Sequence, residues 1–282
     1  MTDALFFDLD GTLIDSEPGI LGGIAHTLDA LGHPPLSREA LLPWIGPPLR
    51  DSYEALFNGD RGRAEQAVAL YRAHYDAGGW REHSVYAGIL ELIGTLHATG
   101  RRLAVVTSKN EGFARRILES LPFGAAFETV VGASDDGTRR YKRELIAEAL
   151  SRLDIEAAQA TMIGDRLYDM QGARQHDMRA IGVLWGFGDA DELREAGADV
   201  IVDSPAALLA CVTGDTAFRE SAGPSGPRSA SGAGMLTSEA SASLLREMRE
   251  DGRWMREKLA QVPRMFPRAK TSGSGDGGAS SR

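Results

Sequence analysis

Ala4-Leu5-Phe6-Phe7-Asp8-Leu9-Asp10-Gly11-Thr12 is the stretch on which the fold turns. Four consecutive apolar residues fit a strand buried on both faces. Asp8 and Asp10, two apart on extended backbone, point the same way. Gly11 permits a tight turn immediately after them. In open α/β sheets, ligands bind beyond the carboxyl ends of the strands, so this run reads as a strand that delivers two carboxylates to a site.

Outward from it, short apolar runs recur at 103–106, 129–131, 161–163, 180–183 and 200–202. Helical patterns at 89–98, 112–121, 143–153, 168–176 and 190–196 separate them. Strands alternating with helices of about 10–15 residues build a parallel sheet with both faces covered. The expected fold is therefore α/β, a doubly wound parallel sheet with a Rossmann-like core. One stretch breaks the alternation. From Glu17 to His83 only helical patterns occur, at 20–31, 38–44, 49–57 and 63–75, punctuated by Pro34-Pro35, Gly46-Pro47-Pro48 and Gly78-Gly79. We assign 1–16 and 84–213 to the core and 17–83 to an inserted α-helical domain.

Residues 214–282 read as a flexible, mostly disordered extension. In 221–234, 13 of 14 residues are Ser, Ala, Gly or Pro, too little apolar surface to offset chain entropy. Leu244, Leu245, Met248, Met255, Leu259 and Val262 fall near one helical face, so a helix over 241–262 is expected there, able to dock a protein partner.

The chain has 282 residues, 31 basic and 40 acidic, for a net charge of −9. The charge divides into +3 over 214–282 and −12 over the rest. An acidic body argues against nucleic acid as a partner. The single cysteine, Cys211, excludes an internal disulfide and a Cys-rich zinc site. No apolar run approaches the ~20 residues of a membrane span. The first residues carry Asp3 and Asp8 rather than a basic segment, so no secretory signal is expected and a cytoplasmic location is. His26, His33, His74, His83, His97 and His176 show no ligand spacing.

Three further features lie at predicted strand ends or helix starts. Thr107 follows Leu103-Ala104-Val105-Val106, where a hydroxyl and free backbone N–H groups suit an anion. Lys142 opens a helix, with Arg139 and Arg140 as neighbouring competitors for the same role. Gly164-Asp165-Arg166-Leu167-Tyr168-Asp169 follows Thr161-Met162-Ile163, and its carboxylates at i and i+4 share one helical turn. Carboxylates, a hydroxyl and an ammonium around one point offer hard oxygen ligands, which suit Mg²⁺ rather than zinc or copper.

The order Asp8-x-Asp10-Gly11-Thr12, Thr107, Lys142, Gly164-Asp165-x-x-x-Asp169 resembles the haloacid dehalogenase superfamily over residues 3–211. Tyr86-x-Gly88, Thr107-Ser108-Lys109, Gly164-Asp165-Arg166 and Gly182-Val183-Leu184-Trp185-Gly186 are similar to its phosphoglycolate-phosphatase-like branch. The helical insert matches that family's cap. The resemblance implies that Asp8 is a nucleophile forming an aspartyl-phosphate, and that Asp10 is the acid and then the base. It implies that Asp8, the Asp10 carbonyl and Asp165 hold Mg²⁺, with Asp169 orienting a water or Lys142. It implies that Thr107, Ser108 and Lys142 bind the phosphoryl oxygens. Lys142 is followed by Arg143 where many relatives have Pro, which leaves Arg140 or Lys109 open as partners in that role. Gly46-Pro47-Pro48-Leu49-Arg50 reads both as a helix start and as a stiff loop facing the site, with Arg50 placed to meet a second anionic group. Trp44, Trp80 and Trp185 read as packing residues.

The expected activity is that of a Mg²⁺-dependent phosphatase of a small phosphomonoester, phosphoglycolate or a nucleoside 5′-monophosphate. A sugar phosphomutase uses the same two aspartates and is the enzymatic alternative. A non-catalytic protein acting through the extension is the alternative of another class. A phosphonate-cleaving enzyme needs a Schiff-base lysine from the insert, and 17–83 contains no lysine.

Overall fold

A computed structural model describes residues 4–214, which alternate strand and helix as the apolar runs predict. The strands are β1 (Ala4–Phe7), β2 (Ile14–Asp15), β3 (Ser84–Val85), β4 (Arg102–Asn110), β5 (Thr129–Ala133), β6 (Ala160–Gly164), β7 (Arg179–Val183) and β8 (Val200–Val202). The helices are α1 (Glu17–Ala30), α2 (Arg38–Leu41), α3 (Leu49–Leu56), α4 (Arg61–Ala77), α5 (Ile89–Ala98), α6 (Glu111–Ser120), α7 (Lys142–Leu153), α8 (Leu167–Arg174), α9 (Ala190–Glu195) and α10 (Pro205–Thr213). The expected helix over 241–262, with the rest of 215–282, lies outside the described residues.

Six strands form one sheet in the order β5-β4-β1-β6-β7-β8, with every neighbouring pair parallel. The chain starts in the middle of the sheet, lays β4 and β5 on one side of β1, then returns to lay β6, β7 and β8 on the other. That reversal opens a crevice beyond the carboxyl ends of β1, β4 and β6. Alternate residues sort to the two faces. Leu5, Phe7, Leu103, Val105 and Ile163 pack with α5, α6 and α10. Ala4, Phe6, Ala104, Val106 and Met162 pack with α7, α8 and α9. Fully burying each large side chain contributes about 1.5–3 kcal/mol, so both faces of the central strand are anchored.

Residues between β2 and β3 hold α1 to α4 and two short 3₁₀ turns. β2 and β3 pair antiparallel, Ile14 with Val85 and Asp15 with Ser84, so the two ends of the insert leave the core side by side. Local chemistry sets the helix starts. Pro lies in the first turn of α1, Ser37 Oγ accepts from the Ala40 N–H ahead of α2, and Asp60 accepts from the Arg63 N–H ahead of α4. Ile20, Ile24, Leu28, Tyr53 and Tyr75 are buried and continuous with the core on one face of the sheet.

Two features go beyond the sequence reading. The β2–β3 ribbon is too short to show a period of two. The helix α10 begins at Ser204-Pro205, where Ser204 Oγ accepts from the Ala207 N–H, a start signal present in the sequence. Ser134-Asp135-Asp136-Gly137-Thr138 is a turn, with Gly137 at φ +73°. No helix among the described residues is long and apolar enough to cross a membrane.

Candidate active site

The carboxyl end of β1 carries Asp8. Its N–H donates to the Ile163 carbonyl at 2.9 Å, which keeps it in register with β6, and its Oδ1 accepts from the Leu9 N–H at 2.8 Å. The chain then folds back: the N–H groups of Leu13 and Ile14 donate to the Leu9 carbonyl. Gly11 makes this turn at φ +84°, and a Cβ there would lie 2.1 Å from Asp165 Oδ2. A glycine is required on both counts, and it lets the turns after β1 and β6 touch.

Asp165 follows β6 and is fully buried. Thr12 Oγ1 donates to its Oδ1 at 3.0 Å, and the Phe187 N–H donates to its Oδ2 at 2.8 Å. Asp169, in the first turn of α8, accepts from the Arg166 N–H at 3.1 Å through Oδ2. Lys142, first residue of α7, lays its buried ammonium 3.1 Å from Asp8 Oδ1 and 2.7 Å from Asp169 Oδ1. It donates to the Val106 carbonyl at 3.0 Å. The structure thus brings Lys142 to Asp8. Arg140 pairs with Asp51 at 3.1 Å and Arg139 with Glu111 at 2.8 Å.

Carboxylate oxygens of Asp8, Asp165 and Asp169 lie within 4.8 Å of one another. Three buried carboxylates against one ammonium disfavour full ionisation. Burial pushes Asp8 up to about 6, Lys142 holding it back and the charges of Asp169 and Asp10 adding to the rise. Burial, with the charges of Asp169 and Asp8, pushes Asp165 up to about 8. Burial works against the charged Lys142, yet Asp169 and Asp8 hold its pKa above the ordinary lysine value.

The Asp10 carboxylate faces away from this cluster. Ser16 Oγ donates to its Oδ1 at 2.5 Å, and Lys109 Nζ lies 2.9 Å from its Oδ2. Asp169, rather than the Asp10 side chain, completes the carboxylate triad; the resemblance involved only the Asp10 carbonyl in metal binding. Lys109 also lies 4.9 Å from the Tyr75 ring centroid, so a residue of α4 reaches the partner of Asp10. Ser16, Lys109 and Tyr75 are the members sequence reasoning missed in these roles. Lys109 stood out in the Thr107-Ser108-Lys109 motif and as a residue that could share the role of Lys142, and nothing in sequence spacing ties it, Ser16 or Tyr75 to Asp10.

Thr107 and Ser108 lie where the register between β4 and β5 shifts, in the unpaired stretch between Val106 and Asn110. With Asp8 and Asp10 they line a cavity of about 100 Å³. Its opposite wall is Trp44, the loop 45–50, Tyr71 and Tyr75. Both readings of that loop hold: it lines the cavity, and Pro48 immediately precedes α3. Arg50 lines the cavity while paired with Glu65, its Nη2 donating to Oε2 at 3.0 Å. Trp44 packs edge-on against Tyr53 at 5.2 Å.

A family model described as haloacid dehalogenase-like hydrolase matches residues 5–183. The tyrosine-protein kinase PtkA of Mycobacterium tuberculosis is 39% identical over 197 residues, covering 70% of this chain and 67% of that protein. A 5′-nucleotidase of Pseudomonas aeruginosa is 41% identical over 192 residues, covering 67% of this chain and 86% of that protein. The crystal structure of a predicted phosphatase from Clostridium acetobutylicum has a TM-score of 0.73 at 37% identity, covering 76% of this chain and 99% of that one.

Proposed function

Since the chain belongs to the haloacid dehalogenase-like hydrolase family, we propose that it hydrolyses a small phosphomonoester by way of an aspartyl-phosphate on Asp8. The observation that carries this reading is the buried Asp8–Asp165–Asp169 cluster with Lys142, set beside a cavity at the carboxyl ends of three strands. The Asp8 carboxylate attacks phosphorus, a new P–O bond forms and the ester P–O bond breaks. Asp10 gives a proton to the departing alkoxide. Water then attacks phosphorus, Asp10 takes its proton, and Asp8 is released with inorganic phosphate. Lys142 holds the reacting Asp8 oxygen in place and offers positive charge to the phosphoryl group. Thr107, Ser108 and their backbone N–H groups receive its remaining oxygens.

The donor set fits a hard divalent cation: its carboxylates are close enough to share one ion, and burial without one raises Asp8 and Asp165. Asp8, Asp165 and the Asp10 carbonyl would hold Mg²⁺, and Asp169 would keep Lys142 and the Arg166 turn in position. The ion would supply charge stabilisation to the transferring phosphoryl group.

Phosphoglycolate and a nucleoside 5′-monophosphate are the candidate substrates, and the loop 45–50 that walls the cavity would discriminate between them. Arg50 is the residue proposed to meet a second anionic group. The relative named a tyrosine-protein kinase raises a second acceptor for the phosphoryl group, and phosphate release against transfer separates the two. Purified protein with Mg²⁺ is expected to release inorganic phosphate from phosphoglycolate, and Asp8→Asn is expected to abolish release and the trapped phosphoenzyme together. Full turnover in Asp8→Asn would refute the reading.

A further inference from the structure

Arg166 sits between the residues that carry chemistry and the wall that faces the substrate, and it touches both. Its side chain is buried, although it belongs to a loop at the rim of the sheet. The backbone N–H donates to Asp169 Oδ2 at 3.1 Å, and its chain neighbour is Asp165. Its guanidinium runs the other way, across the crevice. Nη1 donates to the Ile45 carbonyl, in the insert. Nε donates to Glu192 Oε1 at 2.8 Å, and the same oxygen accepts from the Leu167 N–H at 2.8 Å, so α9 holds the guanidinium root in place. Gly46 makes room for it: at φ +114°, a Cβ there would lie 3.0 Å from Arg166 Cγ.

Other cations also bridge the helical insert and the sheet. Arg140 pairs with Asp51, Arg72 Nη1 donates to the Asp135 carbonyl at 3.0 Å, and Arg116 pairs with Asp76. Their side chains are 27, 30 and 41% exposed, against 5% for Arg166. Solvent screens exposed pairs and leaves a buried, charge-assisted hydrogen bond intact. Lys109, 6% exposed, also meets the insert, but at Tyr75 of α4; Arg166 is the buried cation whose hydrogen bond lands on the loop 45–50, and it sets the position of that loop. What it positions is the start of the loop 45–50, whose six residues all line the cavity. Pro47 and Pro48 stiffen that loop, so displacement at Ile45 is carried through to Arg50.

We propose that Arg166 is a positioning residue that registers the substrate-facing loop 45–50 to the carboxylate cluster, and so governs affinity for the alcohol half of the substrate. It does not line the cavity and acts only through Ile45 and Gly46. The kinetic part of this proposal rests on the phosphatase reading above; the structural part does not.

The test uses the full chain in three forms: Arg166→Gln, Arg166→Lys, and Gly46→Ala, which disturbs the contact from the other side. Hydrogen exchange of the amides of Ile45, Asp51 and Ser52, which donate to the Leu42 and Pro48 carbonyls, is expected to quicken by about tenfold or more in Arg166→Gln, with β1 and β6 amides unchanged. KM for phosphoglycolate, or for whichever phosphomonoester the protein turns over, is expected to rise about tenfold, while inhibition by inorganic phosphate stays within about twofold. Arg166→Lys, able to keep one of the two side-chain contacts, is expected to fall between. Unchanged exchange in the loop overturns the proposal, as does a loss of kcat and phosphate affinity without a rise in KM, which would mark Arg166 as a support of the carboxylates alone. Should the unaltered protein turn over no phosphomonoester, the phosphatase reading fails and loop exchange alone decides the role of Arg166.

Discussion

Loading the carboxylate cluster with a divalent cation should expel about one proton at pH 7, because a carboxyl group must ionise before it can bind the ion. The size of the effect follows from two groups. Asp165, raised to about 8, is protonated by about ten to one at pH 7; Asp8, raised to about 6, is ionised by about the same ratio. Release should approach about two protons near pH 5 and vanish above about pH 9. Apparent Mg²⁺ affinity should therefore weaken about tenfold per pH unit between 8 and 6, and more steeply below. The effect on stability has the opposite sign. Both carboxyls bind protons more tightly when folded, so their contribution to the metal-free protein is greatest at low pH. It is lost as pH rises through about 6 and then about 8. Calorimetric titration of the metal-free protein with Mg²⁺, in two buffers of different ionisation enthalpy, measures the released protons directly. Asp165→Asn should remove the larger part at pH 7. Binding with no proton release at pH 7, and with affinity constant from pH 6 to 8, would show that the cluster is already ionised and refute the reasoning.

Asp10→Asn should lower kcat by about 10²–10⁴, measured with phosphoglycolate, while leaving proton release on metal binding at about one. Gly11→Ala combines a strained φ of +84° with a methyl group inside the Asp165 carboxylate, and should weaken Mg²⁺ binding by about tenfold or more in the same titration. Phe6→Ala empties a fully buried site beneath α7 and α8, and should cost about 3–5 kcal/mol in chemical denaturation.

The sheet was legible because its strands are buried on both faces. Runs such as Ala4–Phe7 and Leu103–Val106 are apolar throughout, and helices with one apolar stripe separate them. Asp8, Lys142 and Asp165 were legible for a related reason: each stands where a strand ends or a helix starts, and parallel topology gathers such places at one edge; Thr107 stands where the apolar run ends, although β4 continues to Asn110. The pairing of charges was not legible. Lys109 and Lys142 both reach the crevice, and only the register shift of β4 between Val106 and Asn110 and the placement of α7 send one ammonium to Asp10 and the other to Asp8. Arg50 likewise reads as a free cation until α4 supplies Glu65. Arg166 stood inside a motif, yet its reach to the Ile45 carbonyl joins residues 121 apart, a contact no local pattern encodes.

The narrow ribbon at Ile14–Asp15 and Ser84–Val85 has a consequence for how this architecture can change. Its strands enter and leave side by side, as they would around a tight hairpin turn. The entropy of closing a loop grows only with the logarithm of its length. At that joint, the sheet is therefore nearly indifferent to how much chain lies beyond it. A different set of helices, grafted between Asp15 and Ser84, would meet the same two anchor points and leave the strand ends where they are. On the proposed reading, the part that would set selectivity thus joins the part that would carry the chemistry through a ribbon of only four residues.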